Sequence, residues 1–296
     1  MIKLEGIHFM MPTPFDEKGK IDEESISPLV DLAIKAGCQG VVCLGVTGEA
    51  NRLSDNERRL VLELVIREAK DRLPVTVGTS ATGTDVTVQR SIEATTLGAS
   101  AVMISPVLIA KQNLDAIFSF YKSVAIAINV PIVAQDYPRE SNVFMSAPFI
   151  ARMYQEIDKV KYLRLEDPPT PPKVTAINNL TGGGMGIFGG LGGTFLYEEL
   201  KRGACGTMTG FAYPEILVKI YNYMIKAEFK KAAEIFYRYL PIIRYEFQDG
   251  IGVSVRKEVL KRRGFIRYAN VRHPGLQIDE VTRKELYELL DTLKLE

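Results

Sequence analysis

Short apolar runs alternate with longer segments of helical periodicity along most of the chain, and this alternation is the strongest constraint on the fold. Between residues 6 and 210 it gives eight predicted strands with seven helices between them. Strands separated by helices pair in parallel through crossover connections. Eight such units in about 210 residues predict an α/β protein built as a closed (β/α)8 TIM barrel. The same alternation also permits an open, doubly wound sheet.

The predicted strands cover residues 6–15, 38–45, 74–80, 99–106, 130–138, 159–167, 184–190 and 204–210. Three helix-to-strand joints look alike, because each has a glycine followed by small residues and an apolar strand. They are KAGCQGVV, TLGASAVM and KRGACGTM. A glycine at such a joint ends a helix, and the echo among the joints supports a repeated βα unit. Ser54 and Glu57 form a capping box that predicts a helix start.

The remainder of the chain has no strand pattern. The segments KAAEIFYRYLPIIRYEF and RKELYELLDTLKL have the spacing of amphipathic helices. The sequence therefore predicts two parts, a barrel over residues 1–212 and a helical C-terminal region over residues 213–296 that packs on the barrel.

Charge and residue usage exclude several classes of protein. A formal net charge of +1 gives no overall attraction to nucleic acid or membranes, so neither is an expected partner. Three cysteines without a CxxC motif, no signal-peptide pattern and no apolar run of about 18 residues favour a cytoplasmic location. Because His8 and His273 are the only histidines, no metal site is expected. The GxGxxG string over 184–189 contains a predicted strand instead of following one, so no cofactor is expected.

The turn after the second predicted strand, Gly45-Val46-Thr47-Gly48-Glu49, is the most specific candidate for a binding site. Active sites in these barrels lie at the carboxyl ends of the strands. The glycines allow a tight turn whose N–H groups can converge on an anion, and Thr47 adds a hydroxyl. The turn fits a small carboxylate. It also fits a plain strand-to-helix connection in which Glu49 is a solvated or capping acid.

The sixth predicted strand carries a permanent cation within the segment KYLRLED. Strand alternation places Val160, Tyr162 and Arg164 on one face and Lys161 on the other. Arg164 stays protonated in proteins, and its planar group can bind a carboxylate through two parallel hydrogen bonds. Arg164 is therefore a candidate residue of the site.

Four segments, in chain order, resemble signatures of the dihydrodipicolinate synthase / N-acetylneuraminate lyase family. They are GIHFMMPTPFDEKGKIDEE, LGVTGEANRLSDNER, PVTVGTSATGT and LGASAVMISP. The tail VLKRRGFIRYANVRHPG is similar to the family's C-terminal helical region, so the resemblance covers nearly the whole chain. It implies a homotetrameric barrel and lyase chemistry on pyruvate or a related small-molecule 2-oxo acid.

The resemblance also implies residue roles, and the sixth strand departs from them. In the family, a lysine on this strand forms a Schiff base with the ketone, a tyrosine ending the fifth strand relays protons, and the Gly-x-Thr-Gly turn holds the carboxylate. Arg164 occupies the lysine position. A charged, delocalised guanidinium is no substitute for a neutral amine nucleophile. Lys161 points to the opposite strand face, and Lys173 is interpreted as a solvated charge of the next helix.

Three further positions depart from the family pattern. Aligning the proline after the fifth strand puts Gln135 at the tyrosine position. Tyr137, two residues on, is either a proton relay or a packed aromatic at the strand tip. Val46 replaces the first hydroxyl of the turn. Val107 and Leu108 replace an aromatic pair that joins the relay in the synthase branch, which argues against the lysine-biosynthetic activity.

The predicted site combines these positions. The catalytic candidates are Arg164, Tyr137 and Thr47, and the substrate-binding candidates are Val46, Thr47, Gly48, Gln135, Gly190 and Met208. Three interpretations stay open. The protein is a family lyase whose lysine was replaced by nature or by engineering, or a non-catalytic carboxylate-binding or regulatory barrel. In the third, Arg164 is an electrostatic stabiliser while Tyr137 or Glu166 moves protons.

Overall fold

Eight parallel strands close into a barrel in the order of the chain, with β8 paired to β1. The structure is a computed structural model that describes residues 3–107, 111 and 113–295. The strands are β1 Gly6–Met10, β2 Gly40–Cys43, β3 Val75–Gly78, β4 Ala101–Ile104, β5 Ile132–Asp136, β6 Val160–Leu165, β7 Gly186–Gly189 and β8 Gly206–Thr209. The predicted (β/α)8 barrel is confirmed, and the doubly wound alternative is excluded by the closure.

Helices connect consecutive strands and surround the barrel. They are α1 Ile26–Ala36, α2 Asp55–Ala69, α3 Thr84–Leu97, α4 Leu114–Ala127, the short α5 Pro138–Ser141, α6 Ala147–Glu156, α7 Thr170–Thr181 and α8 Leu196–Lys201. After β8 come α9 Pro214–Ile225, α10 Phe229–Tyr245, α11 Gly252–Arg262 and α12 Glu280–Leu293. Within the described residues, no helix combines the length and apolar character that crossing a membrane requires.

The helix ends follow the sequence signals. Ser54 and Glu57 form the expected capping box at the start of α2. The glycines of the three similar joints, Gly37, Gly98 and Gly203, have φ of 80°, 111° and 89°. This left-handed conformation costs a glycine little because it has no Cβ. Each joint therefore turns the chain from a helix into the next strand within a few residues.

Apolar side chains fill two separate layers. Inside the barrel, one cluster consists of Leu4, Met10, Val42, Ala101, Met103, Val133, Phe188 and Met208. A larger cluster lies between the strands and the surrounding helices. The GxGxxG string falls largely on β7, with Phe188 inside the barrel, so it makes no strand-to-helix loop of the dinucleotide-binding kind.

A register irregularity in β6 changes the predicted orientation of one residue. Ile132 of β5 pairs with Val160, but the next residue, Val133, pairs with Tyr162. Tyr162 packs against the cluster inside the barrel, whereas Val160 belongs to the cluster outside it. The prediction that Val160 shares a face with Tyr162 and Arg164 was wrong, because the extra residue shifts the alternation.

The helices after β8 differ in which parts of the fold they contact. Helix α9 packs against β1 and beside α1 and α8, so it takes the place of the eighth outer helix. Helices α10, α11 and α12 follow it, and α12 contacts both α10 and α11. The division of the chain at residue 212 stays a prediction.

Candidate active site

A cavity of about 220 Å³ opens at the carboxyl ends of the strands. Its polar lining includes Thr47, Tyr137, Arg164, Glu166, Glu246 and Arg256. The first four follow or end strands of the barrel, and the last two belong to the helices beyond it. The chain between α10 and α11 forms part of the wall, because Phe247, Gln248, Asp249 and Gly250 also line the cavity.

Arg164 extends from β6 into this cavity and is 4% exposed. Its Nε donates to the backbone carbonyl of Met208 on β8, at 3.0 Å. Its Nη1 donates to Glu166 in a buried ion pair. An arginine has five N–H donors, so these two bonds leave others to face a ligand.

Glu166, immediately after β6, is held from three sides. It is 3% exposed, pairs with Arg164 and accepts a hydrogen bond from Gln135 Nε2 at 2.8 Å. A Cβ on Gly190 would lie 2.2 Å from its Cγ, so only glycine permits this close approach. Burial raises the pKa of the Glu166 carboxyl, while Arg164 and Gln135 act in the opposite direction.

The turn after β2 is strained on both sides. Leu44 and Glu49 have φ of 56° and 52°, a region that non-glycine residues rarely occupy. The Thr13 hydroxyl donates to the carbonyl of Gly48 at 2.6 Å and fixes the turn. Thr47 lines the cavity, and its hydroxyl has no hydrogen-bond partner among the residues that the structure describes. This hydroxyl can therefore bind a ligand.

The Glu49 side chain is buried and makes no helix-capping hydrogen bond, so Glu49 is not the solvated or capping acid of the alternative interpretation. It is 1% exposed, and its Oε1 accepts from Lys257 Nζ of α11 at 2.6 Å. Its Oε2 accepts from Arg52 at 3.0 Å and from the backbone N–H of Arg272 at 2.8 Å. Glu49 thus attaches the C-terminal helices to the turn.

Five of the predicted site residues lie together. They are Val46, Thr47, Tyr137, Arg164 and Gly190, all lining the cavity. Burial raises the pKa of the Tyr137 phenol, and the nearby Glu166 carboxylate adds to that rise. Tyr137 lines the same cavity as Arg164 and Glu166 and is half-buried.

The other predicted positions lie close by without lining this cavity. Gln135 lines an adjoining cavity of about 470 Å³ and bonds Ser105 and Glu166. The Met208 side chain packs inside the barrel, and only its carbonyl meets Arg164. Gly48 contributes its carbonyl to the turn. Val107 is half-buried, and Leu108 lies outside the described residues.

The two lysines considered as alternatives to Arg164 are both engaged elsewhere. Lys161 Nζ lies 3.4 Å from Asp158 Oδ1, at the end of β6 away from the cavity. The interpretation of Lys173 as a solvated charge was wrong. Its Nζ donates to Asp136 and Asp167 at 2.6 and 2.7 Å, and its side chain is 13% exposed. Of the described residues that line the cavity, none is a lysine.

Sequence reasoning missed Glu246 and Arg256 completely. Glu246 follows α10, Arg256 lies on α11, and they are 1% and 7% exposed. A signal for Arg256 was present in the segment VRKEVL, where three consecutive charged residues, which cannot all lie on one face of a helix, stand between apolar ones. Residues 254–260 of α11 are all buried.

A sequence model of the Dihydrodipicolinate synthetase family matches residues 3–293, nearly the whole chain. The protein belongs to this family of lyases. A curated relative, L-2-keto-3-deoxyarabonate dehydratase of Azospirillum brasilense, is 33% identical over 98% of this chain and 96% of its own length. The 4-hydroxy-tetrahydrodipicolinate synthase of Bartonella bacilliformis is 26% identical over 95% of each chain.

Solved structures agree with the family assignment. The crystal structure of dihydrodipicolinate synthase from Rhodopseudomonas palustris matches with a TM-score of 0.92 and 35% identity, and the match covers 97% of each chain. The similarity extends over both the barrel and the C-terminal helices. This chain therefore shares with that synthase the fold that positions the cavity.

Proposed function

We propose that the cavity binds a 2-oxo acid without a covalent bond to the protein. Arg164 would stand at the Schiff-base position of the family and hold the ligand electrostatically. The observation that carries the proposal is the lining of the cavity, where two buried arginines and no lysine occur among the described residues. A guanidinium attracts a carboxylate strongly but does not form a Schiff base.

The turn after β2 supports an acid as the ligand. The unpartnered Thr47 hydroxyl faces the same cavity as the guanidinium of Arg164. A carboxylate between them would accept hydrogen bonds from both, and bonds from charged donors are the stronger kind. The relative from Azospirillum brasilense acts on a 2-keto acid by its name, which supports the 2-oxo acid in particular.

Reductive trapping tests the absence of a Schiff base. We expect no gain in intact mass when the protein is incubated with pyruvate and sodium borohydride. We expect Arg164→Lys to trap pyruvate, because it restores an amine at the proposed position. A trapped adduct on the unmodified protein would refute non-covalent binding. Failure of the variant with both pyruvate and a longer 2-oxo acid would refute the proposed position.

Calorimetry with pyruvate tests the role of Arg164. Arg164→Ala removes the guanidinium, so we expect affinity to fall at least about tenfold, or about 1.4 kcal/mol. Arg152→Ala is the matched control, because Arg152 is an exposed arginine paired with Asp115 and Glu156. Circular dichroism would establish that both variants are folded. Unchanged pyruvate affinity in Arg164→Ala would remove Arg164 from the site.

A lyase that works without a Schiff base is the second candidate. Two carboxyl groups with raised pKa, Glu166 and Glu246, line the cavity beside arginines. The pKa of Glu246, raised to about 7, suits proton exchange near neutral pH. Incubation with L-2-keto-3-deoxyarabonate followed by NMR tests this candidate. The absence of any product after long incubation would favour the binding protein over the enzyme.

The homotetramer implied by the family resemblance also stays a proposal. Light scattering of the purified protein measures its mass in solution directly. A monomer or dimer would contradict the expectation.

A further inference from the structure

A chain of side-chain hydrogen bonds connects the two adjoining cavities at the carboxyl ends of the strands. It begins at Ser105, which follows β4 and lines the larger cavity, and whose hydroxyl donates to Gln135 Oε1 at 3.0 Å. Gln135 Nε2 then donates to Glu166 Oε2 at 2.8 Å. Glu166 also accepts from Arg164, in the buried ion pair that lines the smaller cavity. Ser105 therefore reaches Arg164 through two intermediate side chains.

Gln135 is held at both ends of its side-chain amide. It is 2% exposed, and its oxygen and nitrogen have the two partners just described. The backbone N–H of Ser105 donates to Ser80 Oγ at 2.9 Å, which fixes the residue that holds the amide oxygen. An amide has one acceptor end and one donor end. With the Ser105 hydroxyl at its acceptor end, Gln135 presents its donor end to Glu166.

The donor end of an amide distinguishes the two protonation states of a carboxyl group. An ionised carboxylate only accepts hydrogen bonds, whereas the neutral acid has an O–H that must donate. The hydrogen bond from Gln135 therefore stabilises the ionised form of Glu166 and lowers its pKa, against the effect of burial. An ionised Glu166 in turn compensates the buried charge of Arg164.

Several charged groups surround Glu166. Arg164 on the same strand and Arg256 of α11 favour the ionised carboxyl. The other titratable groups that interact with it come from neighbouring elements, and each becomes negative when it ionises. They are Asp136 and Tyr137 at the end of β5, Glu140 of α5 and Glu199 of α8. In the described part of the chain, the side chains that donate hydrogen bonds to the Glu166 carboxyl are those of Arg164 and Gln135.

We propose that Gln135, held by Ser105, is a positioning residue that keeps Glu166 ionised and Arg164 paired until an acid ligand binds. The proposal rests on the proposed function, because the ligand that competes with Glu166 for Arg164 is a 2-oxo acid. The carboxylate of the ligand beside an ionised Glu166 would place two negative charges at one guanidinium, which favours protonation of one of them. Glu166 therefore takes up a proton from solvent when the ligand binds.

This proton uptake gives the affinity for pyruvate a definite dependence on pH. A carboxylic acid such as pyruvate is itself ionised above about pH 5. Affinity should be high where Glu166 is already protonated, because Arg164 is then free to pair with the ligand. It should fall as pH rises through the pKa of Glu166, by up to about tenfold per pH unit for one proton.

Calorimetry with pyruvate between about pH 5 and 9 measures this dependence on the unmodified protein. Titrations in two buffers with different heats of ionisation measure the number of protons taken up. We expect affinity to fall with rising pH and proton uptake to accompany binding. Affinity independent of pH, without proton uptake, would overturn the proposal and leave 2-oxo acid binding in place. The absence of pyruvate binding at every pH would overturn the proposed function itself.

Variants assign the effect to Gln135 and Ser105. Gln135→Met removes the amide from a side chain of similar length, so we expect the fall in affinity to move to higher pH by about one unit. Ser105→Ala releases the amide oxygen, and we expect a smaller shift in the same direction. Ser105→Thr keeps a hydroxyl at this position and should restore the profile of the unmodified protein. Ser123→Ala is the control, because Ser123 is an exposed serine of α4 that bonds the carbonyl of Ser119.

Glu166→Gln shows whether Glu166 is the titrating group. It removes the carboxyl, so we expect pyruvate affinity to lose its dependence on pH, and a dependence that survived would overturn the role of Glu166. Circular dichroism establishes that each variant is folded. If folded Gln135→Met and Ser105→Ala kept the midpoint of the unmodified protein, the positioning role would be overturned, because a residue that only fills space alters stability without moving that midpoint. Should Gln135→Met fail to fold, Ser105→Ala at its half-buried position gives the same test.

Discussion

Two neighbouring residues on α11, Arg256 and Lys257, are both buried cations and differ in what surrounds them. Lys257 is fully buried, and its Nζ donates to Glu49 at 2.6 Å and to the carbonyl of Asn270 at 2.7 Å. It also lies 4.3 Å from the centre of the Phe15 ring. Arg256, in contrast, has no acceptor within hydrogen-bond distance among the described residues.

The difference separates a fully paired buried charge from one that lacks a hydrogen-bond acceptor among the described residues. A buried ion pair holds its parts together only when its hydrogen bonds are satisfied. Lys257 meets that condition and connects α11 to the turn after β2. Arg256 does not meet it, because its Nε is buried without a hydrogen-bond partner among the described residues.

Removal of Lys257 should have the largest effect on stability. Lys257→Met leaves Glu49 buried with one of its partners gone, so we expect the free energy of unfolding to fall by about 3 kcal/mol. Denaturation with guanidinium chloride measures the change. Lys261→Met is the control, because Lys261 is an exposed lysine on the same helix. If the free energy of unfolding fell no more than in Lys261→Met, Lys257 would not stabilise the contact between α11 and the turn after β2.

The pH dependence of stability should distinguish Glu246 from Glu57, an acid of α2 that pairs with Arg272. Burial raises the pKa of Glu246 from 4.5 to about 7. The folded state therefore binds this proton more tightly than the unfolded state does, and stability falls as pH rises from about 4.5 to 7. We expect Glu246→Gln to remove a penalty of about 1–3 kcal/mol that is present above pH 7 and absent below pH 4.5.

The contribution of Glu57 to stability should change with pH in the opposite direction. Its hydrogen bonds with Arg272 lower the pKa of Glu57 from 4.5 to about 2. Its contribution to stability is thus present above pH 4.5 and is lost as pH falls toward 2. Both contributions are measured from the free energy of unfolding at several pH values. The proteins compared are the unmodified protein, Glu246→Gln and Glu57→Gln. If the free energy of unfolding depended on pH identically in the two variants, the opposite directions expected for Glu246 and Glu57 would be contradicted.

Removal of Arg256 should have the smallest effect on stability. Arg256→Met loses no hydrogen bond to the described residues and relieves the cost of burying a charge, so we expect a change below about 1 kcal/mol. The same denaturation experiment used for Lys257→Met measures it. A loss as large as that of Lys257→Met would mean that Arg256 is a structural charge as well.

The architecture could be predicted because it depends on local signals. Strand and helix periodicity, glycine joints and the Ser54 capping box all lie within a few residues of the elements they define. The orientation of Val160 could not be predicted, because the irregularity in β6 depends on its pairing with β5. The residues at the ends of β2 and β6 were predicted for the site because the barrel topology brings strand ends together.

The remaining site residues depend on contacts between distant parts of the chain. The burial and pairing of Lys173 were not predicted, because its partners, Asp136 and Asp167, lie at the ends of two different strands. Glu246 and Arg256 reach the cavity only because the helices beyond the barrel fold back over its opening. The spacing of residues along the chain does not show which distant helices fold back over the barrel opening.

The close approach of Gly190 to Glu166 has a consequence for how this protein can change over time. A side chain at Gly190 would collide with Glu166, so position 190 can change only if Glu166 moves or becomes smaller. A change at position 190 would therefore have to follow a change in the ion pair at the end of β6.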